Sequence, residues 1–142
     1  MNEATTPDIF DRVQFRNKFT GNYLHRSGTS LDAALAVADG SCELHIHTAA
    51  ISSPGTQYWL GASDPRDGGA LSFGHRQQNH DFDIYTREGG GIGGSPPLVA
   101  IRCRRTGKWW CVDPHPPEGR SAIRATADID DNDLARFWME SL

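Results

Sequence analysis

No stretch of this 142-residue chain stays apolar for the length a bilayer crossing needs, which excludes a membrane-spanning helix. Sustained helical stripes are missing too. Ala33 to Ala38 is the only run of good helix formers, and it is too short to nucleate alone. Lysine is nearly absent, with Lys18 and Lys108 standing alone, and the formal net charge is −4 with both signs interspersed. That leaves no basic stripe to follow a phosphate backbone, so nucleic acid is not an expected partner. Three cysteines, Cys42, Cys103 and Cys111, cannot all pair within one chain, and free thiols are the simpler expectation. The segment from Met1 to Arg12 is polar and acidic where a secretory signal is basic and then apolar, which predicts a cytoplasmic protein.

What the chain does contain is turn residues and short alternating segments. Fifteen glycines and eight prolines punctuate them, a pattern that favours an all-β design in a single domain spanning 1–142. Val13-Gln-Phe15-Arg16 leads to Thr20-Gly21-Asn22-Tyr23-Leu24, and the same script returns without a gap as Val99-Ala-Ile101-Arg102 leading to Thr106-Gly107-Lys108-Trp109-Trp110. A fainter copy runs from Ile51 to Tyr58-Trp59-Leu60. Each copy continues to a second apolar pair (Leu31/Ala33, Leu71/Phe73, Ile123/Ala125) and closes on an alternating one (Leu44/Ile46, Phe82/Ile84, Phe137/Met139). The repeats cover about residues 11–47, 48–88 and 98–142, each reading as four short strands.

Period-two alternation turns Val13, Phe15, Leu24, Leu44, Ile46, Ile51 and Leu60 toward one interior, together with Phe82, Ile84, Val99, Ile101, Trp110, Phe137 and Met139. One unit cannot bury such a face by itself, so three close around a shared axis. The chain resembles the β-trefoil, and within it the fascin-like group, whose repeats carry an apolar-x-apolar-Arg strand, a Gly-Lys-Tyr-Leu segment and a terminal Phe-x-aliphatic pair. The resemblance implies a six-stranded barrel capped by three hairpins with pseudo-threefold symmetry. Tyr23, Trp59 and Trp109 hold equivalent places and are expected to seal the cap, while Trp138 is expected to face outward. Arg87 to Pro97 (REGGGIGGSPP) reads as a mobile surface loop, without the Gly-Lys-Ser/Thr ending of a phosphate-binding loop.

Candidate chemistry is sparse. Cys103 shares parity with Val99 and Ile101 and so points inward, and a turn centred on Arg105 and Thr106 sets it opposite Lys108 rather than Cys111. His45 and His47 flank Ile46 on one outer strand face, but their spacing fits no closed zinc pattern, and no metal or other cofactor is expected. The third unit also resembles a ricin-type lectin repeat, in which an Asp and a later Asn grip vicinal sugar hydroxyls. That resemblance implies a carbohydrate site at Asp113 and Asn132, with His115 as a platform. Asp64, His75 and Asn79 fall at comparable places in the second unit, with Phe73 or His75 as the stacking surface. A carboxylate that accepts two hydrogen bonds and an amide that donates and accepts suit a diol. The Gln-x-Trp ending of ricin-type repeats is replaced by Glu43-Leu-His45, Asp81-Phe-Asp83 and Arg136-Phe-Trp138.

These readings lead to a non-catalytic, lectin-like protein whose partner is a glycan or glycoconjugate. A fascin-like module for actin or another protein is the alternative, and a protease inhibitor is a third. Scarcity of lysine favours sugar over actin, because an actin bundler needs clustered basic patches.

Overall fold

The computed structural model describes residues 11–26, 33–36, 43–47, 50–53, 58–74, 81–88, 96–116 and 122–141. Among them are twelve strands: β1 (Asp11–Asn17), β2 (Tyr23–Arg26), β3 (Ala33–Ala36), β4 (Leu44–His47), β5 (Ala50–Ser52) and β6 (Trp59–Ala62), then β7 (Leu71–Gly74), β8 (Phe82–Arg87), β9 (Leu98–Cys103), β10 (Trp109–Val112), β11 (Ile123–Ala127) and β12 (Phe137–Ser141). Short 3-10 turns at Pro65–Asp67 and Asp133–Ala135 precede β7 and β12. The helix formers of Ala33–Ala36 lie in a strand, where the ladder to β2 outweighs local propensity.

Every ladder is antiparallel. β4, β1, β12, β9 and β8 pair in that order, with β5 beyond β4, and this is the barrel the repeat predicts. Three hairpins, β2–β3, β6–β7 and β10–β11, lie outside that path. Their second strands meet as a triangle, β3, β7 and β11 each contacting the other two. One edge of the triangle is tight. The Ala125 N–H donates to the Gly69 carbonyl at 2.8 Å, and a Cβ on Gly69 would lie 2.7 Å from the Thr126 methyl, so only glycine fits there.

The interior follows the alternation read from the sequence. All the expected core residues are buried in one cluster except Met139, which is half-buried and packs against it near the end of β12. Trp110, fully buried, is the largest side chain of the core. Phe15, Phe82 and Phe137 meet its ring edge-on at 5.8, 5.0 and 6.0 Å between centroids, the geometry that aligns ring edges with π faces. Leu24 and Leu60 fill the equivalent places in the other units.

Three expectations change. Tyr23, Trp59 and Trp109, expected to seal the cap, are half-buried, because they alternate with Leu24, Leu60 and Trp110, which fill the interior. Phe73 is buried in the core, so it offers no stacking surface to a ligand. Arg87 belongs to β8 and stands opposite Leu98, so the segment between the second and third units begins later than its composition suggests, and Pro97 accepts a hydrogen bond from the Met139 N–H. The rest of that glycine-rich stretch, residues 89–95, lies outside the described residues, as does Cys42. Trp138 is half-buried, between Arg16 of β1 and Leu98 of β9 in the sheet.

Candidate functional site

Two of the residues singled out for sugar binding make the same local structure. Asp64 precedes Pro65, and its Oδ1 accepts the Arg66 N–H at 2.9 Å; Asp113 precedes Pro114, and its Oδ1 accepts the His115 N–H at 3.0 Å. Asp followed by Pro favours this turn because the carboxylate mimics a backbone carbonyl and the ring fixes the next φ. The remaining bonds also stay inside the protein. Arg66 Nε lies 3.3 Å from the same Asp64 oxygen, and Arg124 Nη2 lies 3.4 Å from Asp113 Oδ2. The Arg66 backbone N–H, and after it the Arg66 side chain, holds the Asp64 carboxyl below the ordinary aspartate range.

Asn132 is spent in a similar way, its Oδ1 accepting the Leu134 N–H as the cap of the 3-10 turn before β12. His115 is exposed. His75 and Asn79 lie outside the described residues. Neither described cysteine forms a disulfide: Cys103 is buried, and Cys111 is half-buried with its thiol pushed up by burial and then by nearby Asp113. His45 Nε2 sits 3.1 Å from Glu43, and among the described residues no three His, Cys, Asp or Glu side chains gather as a metal site would require.

Among the described residues, a dense polar constellation lies elsewhere, on the outer face of β8, β9 and β10. Alternation turns Asp83, Tyr85 and Arg87 outward from β8, Arg102 from β9 and Trp109 from β10. The register sets Asp83 opposite Arg102, and Arg102 opposite Trp109. Arg102 then donates to the Tyr85 hydroxyl at 2.6 Å, and the Arg87 and Arg102 guanidinium carbons both lie 5.2–5.5 Å from the Tyr85 and Trp109 ring centres. The two rings are themselves 5.3 Å apart. Cations and rings therefore interleave, each guanidinium resting against two π faces.

Arg87 also reaches across to the loop before β12. Its Nε and Nη2 grip both carboxylate oxygens of Asp130 at 2.6 and 3.1 Å, with the two side chains only 11% and 14% exposed. From the other side, Arg136 Nε donates to the Asp130 backbone carbonyl at 3.0 Å. Between them opens a cleft of about 470 Å³ lined by Thr86, Arg87, Glu88 and Arg136, at the junction of the second and third units. Sequence reading missed it because its members come from the end of β8 and from a turn before β12. The outward parity of Tyr85, Arg87, Arg102 and Trp109 was the one signal on offer.

The three repeats, the antiparallel barrel ladders and the triangle of cap strands define a β-trefoil. No family model matches the chain, and no curated protein is similar to it in sequence at a significant level. Solved structures are similar in fold. The designed 3-fold symmetric protein ThreeFoil matches 92% of this chain and 99% of its own at 11% identity and a TM-score of 0.67. The GlcNAcα1-4Gal-releasing endo-β-galactosidase from Clostridium perfringens matches 93% of this chain but 32% of its own, at 8% identity and a TM-score of 0.70. The lysenin pore matches 99% of this chain and 48% of its own at 11% identity and a TM-score of 0.68. This chain thus spans less than half of the galactosidase and lysenin chains.

Proposed function

We propose that the protein is a non-catalytic, lectin-like β-trefoil and that its glycan site is the cleft between Arg87 and Arg136. The observation that carries this reading is the chemistry of the lining: a hydroxyl, a carboxylate and guanidinium donors converge on one open, polar cleft of about 470 Å³. Sugar hydroxyls each donate and accept, so a mixed lining of this kind satisfies them where an apolar pocket would not. A fold shared with part of an enzyme that releases GlcNAcα1-4Gal is consistent with the reading.

The Asp64 and Asp113 carboxylates, by contrast, order their own turns. A glycan array on the purified protein, followed by calorimetric titration of the best glycan, tests both sites. Arg136→Ala is expected to weaken binding by about tenfold or more, the scale of a lost charge-assisted hydrogen bond, while Asp113→Ala leaves affinity unchanged. The opposite pattern returns the site to the Asp–Pro turns. A second reading, the fascin-like interaction module, draws on two large apolar side chains in solvent, Phe19 at 61% and Ile129 at 60% exposure. Actin co-sedimentation with no glycan bound would favour it.

A further inference from the structure

We infer that the ligand of this cleft is an acidic glycan, one whose carboxylate docks on Arg136; the inference rests on the glycan reading above and narrows it. The cleft holds two guanidinium groups in different states. Arg87 is neutralised, since both oxygens of Asp130 are taken up by its Nε and Nη2 and its Nη1 donates to the Thr86 carbonyl. Arg136 is not. Its Nε is turned onto the Asp130 backbone carbonyl, its nearest carboxylate oxygen, Asp130 Oδ2, is 3.9 Å away, and no described residue accepts a hydrogen bond from its terminal nitrogens.

The side chain is 27% exposed and lines the cleft. A guanidinium held by Nε presents its two Nη groups as a flat fork, and a carboxylate is the group whose two oxygens match that fork. Arg102 adds positive charge on the same sheet, its guanidinium resting with that of Arg87 against the rings of Tyr85 and Trp109. Arg102 has a buried Nε without an acceptor and lies 3.9 Å from Asp83, so its charge is only partly answered. Among the described lining residues the acid is Glu88, which is exposed. Its place there gives the inference a sign: a carboxylate in the lining opposes an acidic ligand and assists a neutral one.

The test compares a uronic-acid-containing oligosaccharide with its carboxyl-reduced counterpart, in which only the carboxylate has become an alcohol. The intact protein is expected to bind the acidic form about tenfold or more tightly than the reduced form, with a preference that shrinks as salt is raised. Arg136→Gln should erase the preference, and Arg136→Lys should restore part of it. Glu88→Gln should tighten the acidic oligosaccharide about two- to threefold, as exposed charges do, without tightening the reduced one. Melting curves of all three variants should coincide with that of the parent. Equal binding of the two oligosaccharides, or weaker binding of both by Glu88→Gln, overturns the acidic assignment and leaves the glycan reading standing. An acidic hexapeptide that binds as tightly as the oligosaccharide overturns it too, making the fork a general anion clamp. Binding of neither oligosaccharide, with no hit on the array, brings down both readings.

Discussion

The turn from β1 to β2 and the turn from β9 to β10 share a backbone and differ in what they bury. In both, the residue that ends the first strand donates its N–H across the hairpin at 2.8 Å, Asn17 to Asn22 and Cys103 to Lys108. In both, a glycine at φ 73° donates back to that residue at 2.9 Å, and the threonine before it accepts an N–H through Oγ1 at 3.2 Å. Each turn even docks in the same way on the residue just before a neighbouring strand, the Lys18 N–H donating to the Arg136 carbonyl ahead of β12 and the Arg104 N–H to the Asp81 carbonyl ahead of β8, both at 2.9 Å. The interiors diverge. Cys103 is a buried thiol in the apolar cluster, whereas Asn17 is a buried amide whose Oδ1 accepts from Phe19 and Thr20 and whose Nδ2 faces the carbonyls of Asp133, Leu134 and Arg136. One repeat closes by packing and the other by latching its turn to the segment before β12. Symmetry fixes the path of the chain, and the side chain at that single position decides how rigidly the neighbouring segment is held.

The strongest way to break the comparison is through the core residue each hairpin contributes. Trp110→Ala is expected to lose about 4 to 5 kcal/mol in denaturant unfolding and Leu24→Ala about 3, since the indole leaves the larger hole and three edge-on phenylalanines lose their partner. Equal losses would mean that the Trp110 site collapses on itself and that the units pack alike. Next come the latching positions. Asn17→Ala should cost about 2 to 3 kcal/mol, because the Phe19 and Thr20 N–H groups and the Leu134 carbonyl lose their partner, against about 1 for Cys103→Ala. Hydrogen exchange sharpens the point: amides around Asp133–Ala135 should lose protection in the first variant and keep it in the second. Least of all, Gly21→Ala and Gly107→Ala should each lose about 1 kcal/mol, and by the same amount. Both sit at φ 73° with open space where a Cβ would go, so backbone strain is the whole effect. A difference between the two glycines would show that the turns are not equivalent in solution.

The proposed site lies beside the third hairpin and not the first, and the same comparison exposes a difference between the two. Tyr23 and Trp109 are equivalent, yet Tyr23 turns its hydroxyl to Glu140 at 2.8 Å while Trp109 stacks with Tyr85 and two arginines. Arg16 pairs with Glu140 at 3.0 Å, whereas its counterpart Arg102 stands 3.9 Å from Asp83 and donates to the neutral Tyr85 hydroxyl; the Nε of each is buried without a hydrogen-bond acceptor among the described residues. Around the first hairpin the charges close on themselves. Around the third the pairing of Arg102 is looser.

Much of the fold was legible along the chain. Alternation sorted Phe15, Leu24, Leu44, Ile46, Val99, Ile101 and Phe137 inward because a strand side chain has two directions to choose from, and the burial of one face makes the choice. Gly21 and Gly107 marked their turns because a positive φ favours a residue without Cβ, and Asp64 and Asp113 before proline marked theirs because that pair caps its own backbone. These are local constraints, decided within a few residues. The cleft is not local. Arg87, Asp130 and Arg136 meet only because β9 carries β8 on one edge and β12 on the other, bringing the end of the second unit against the approach to the last strand. Nor could alternation foresee that Met139 would be only half-buried, that Trp109 would stack outside the barrel, or that Arg87 would extend β8, since each depends on which neighbour the closed sheet supplies. The sequence by itself determined the three units, their turns and their inward faces. Only the tertiary structure decided which charges were closely paired and which were paired at longer range, because ion pairing depends on distances between strands that the order of residues does not contain.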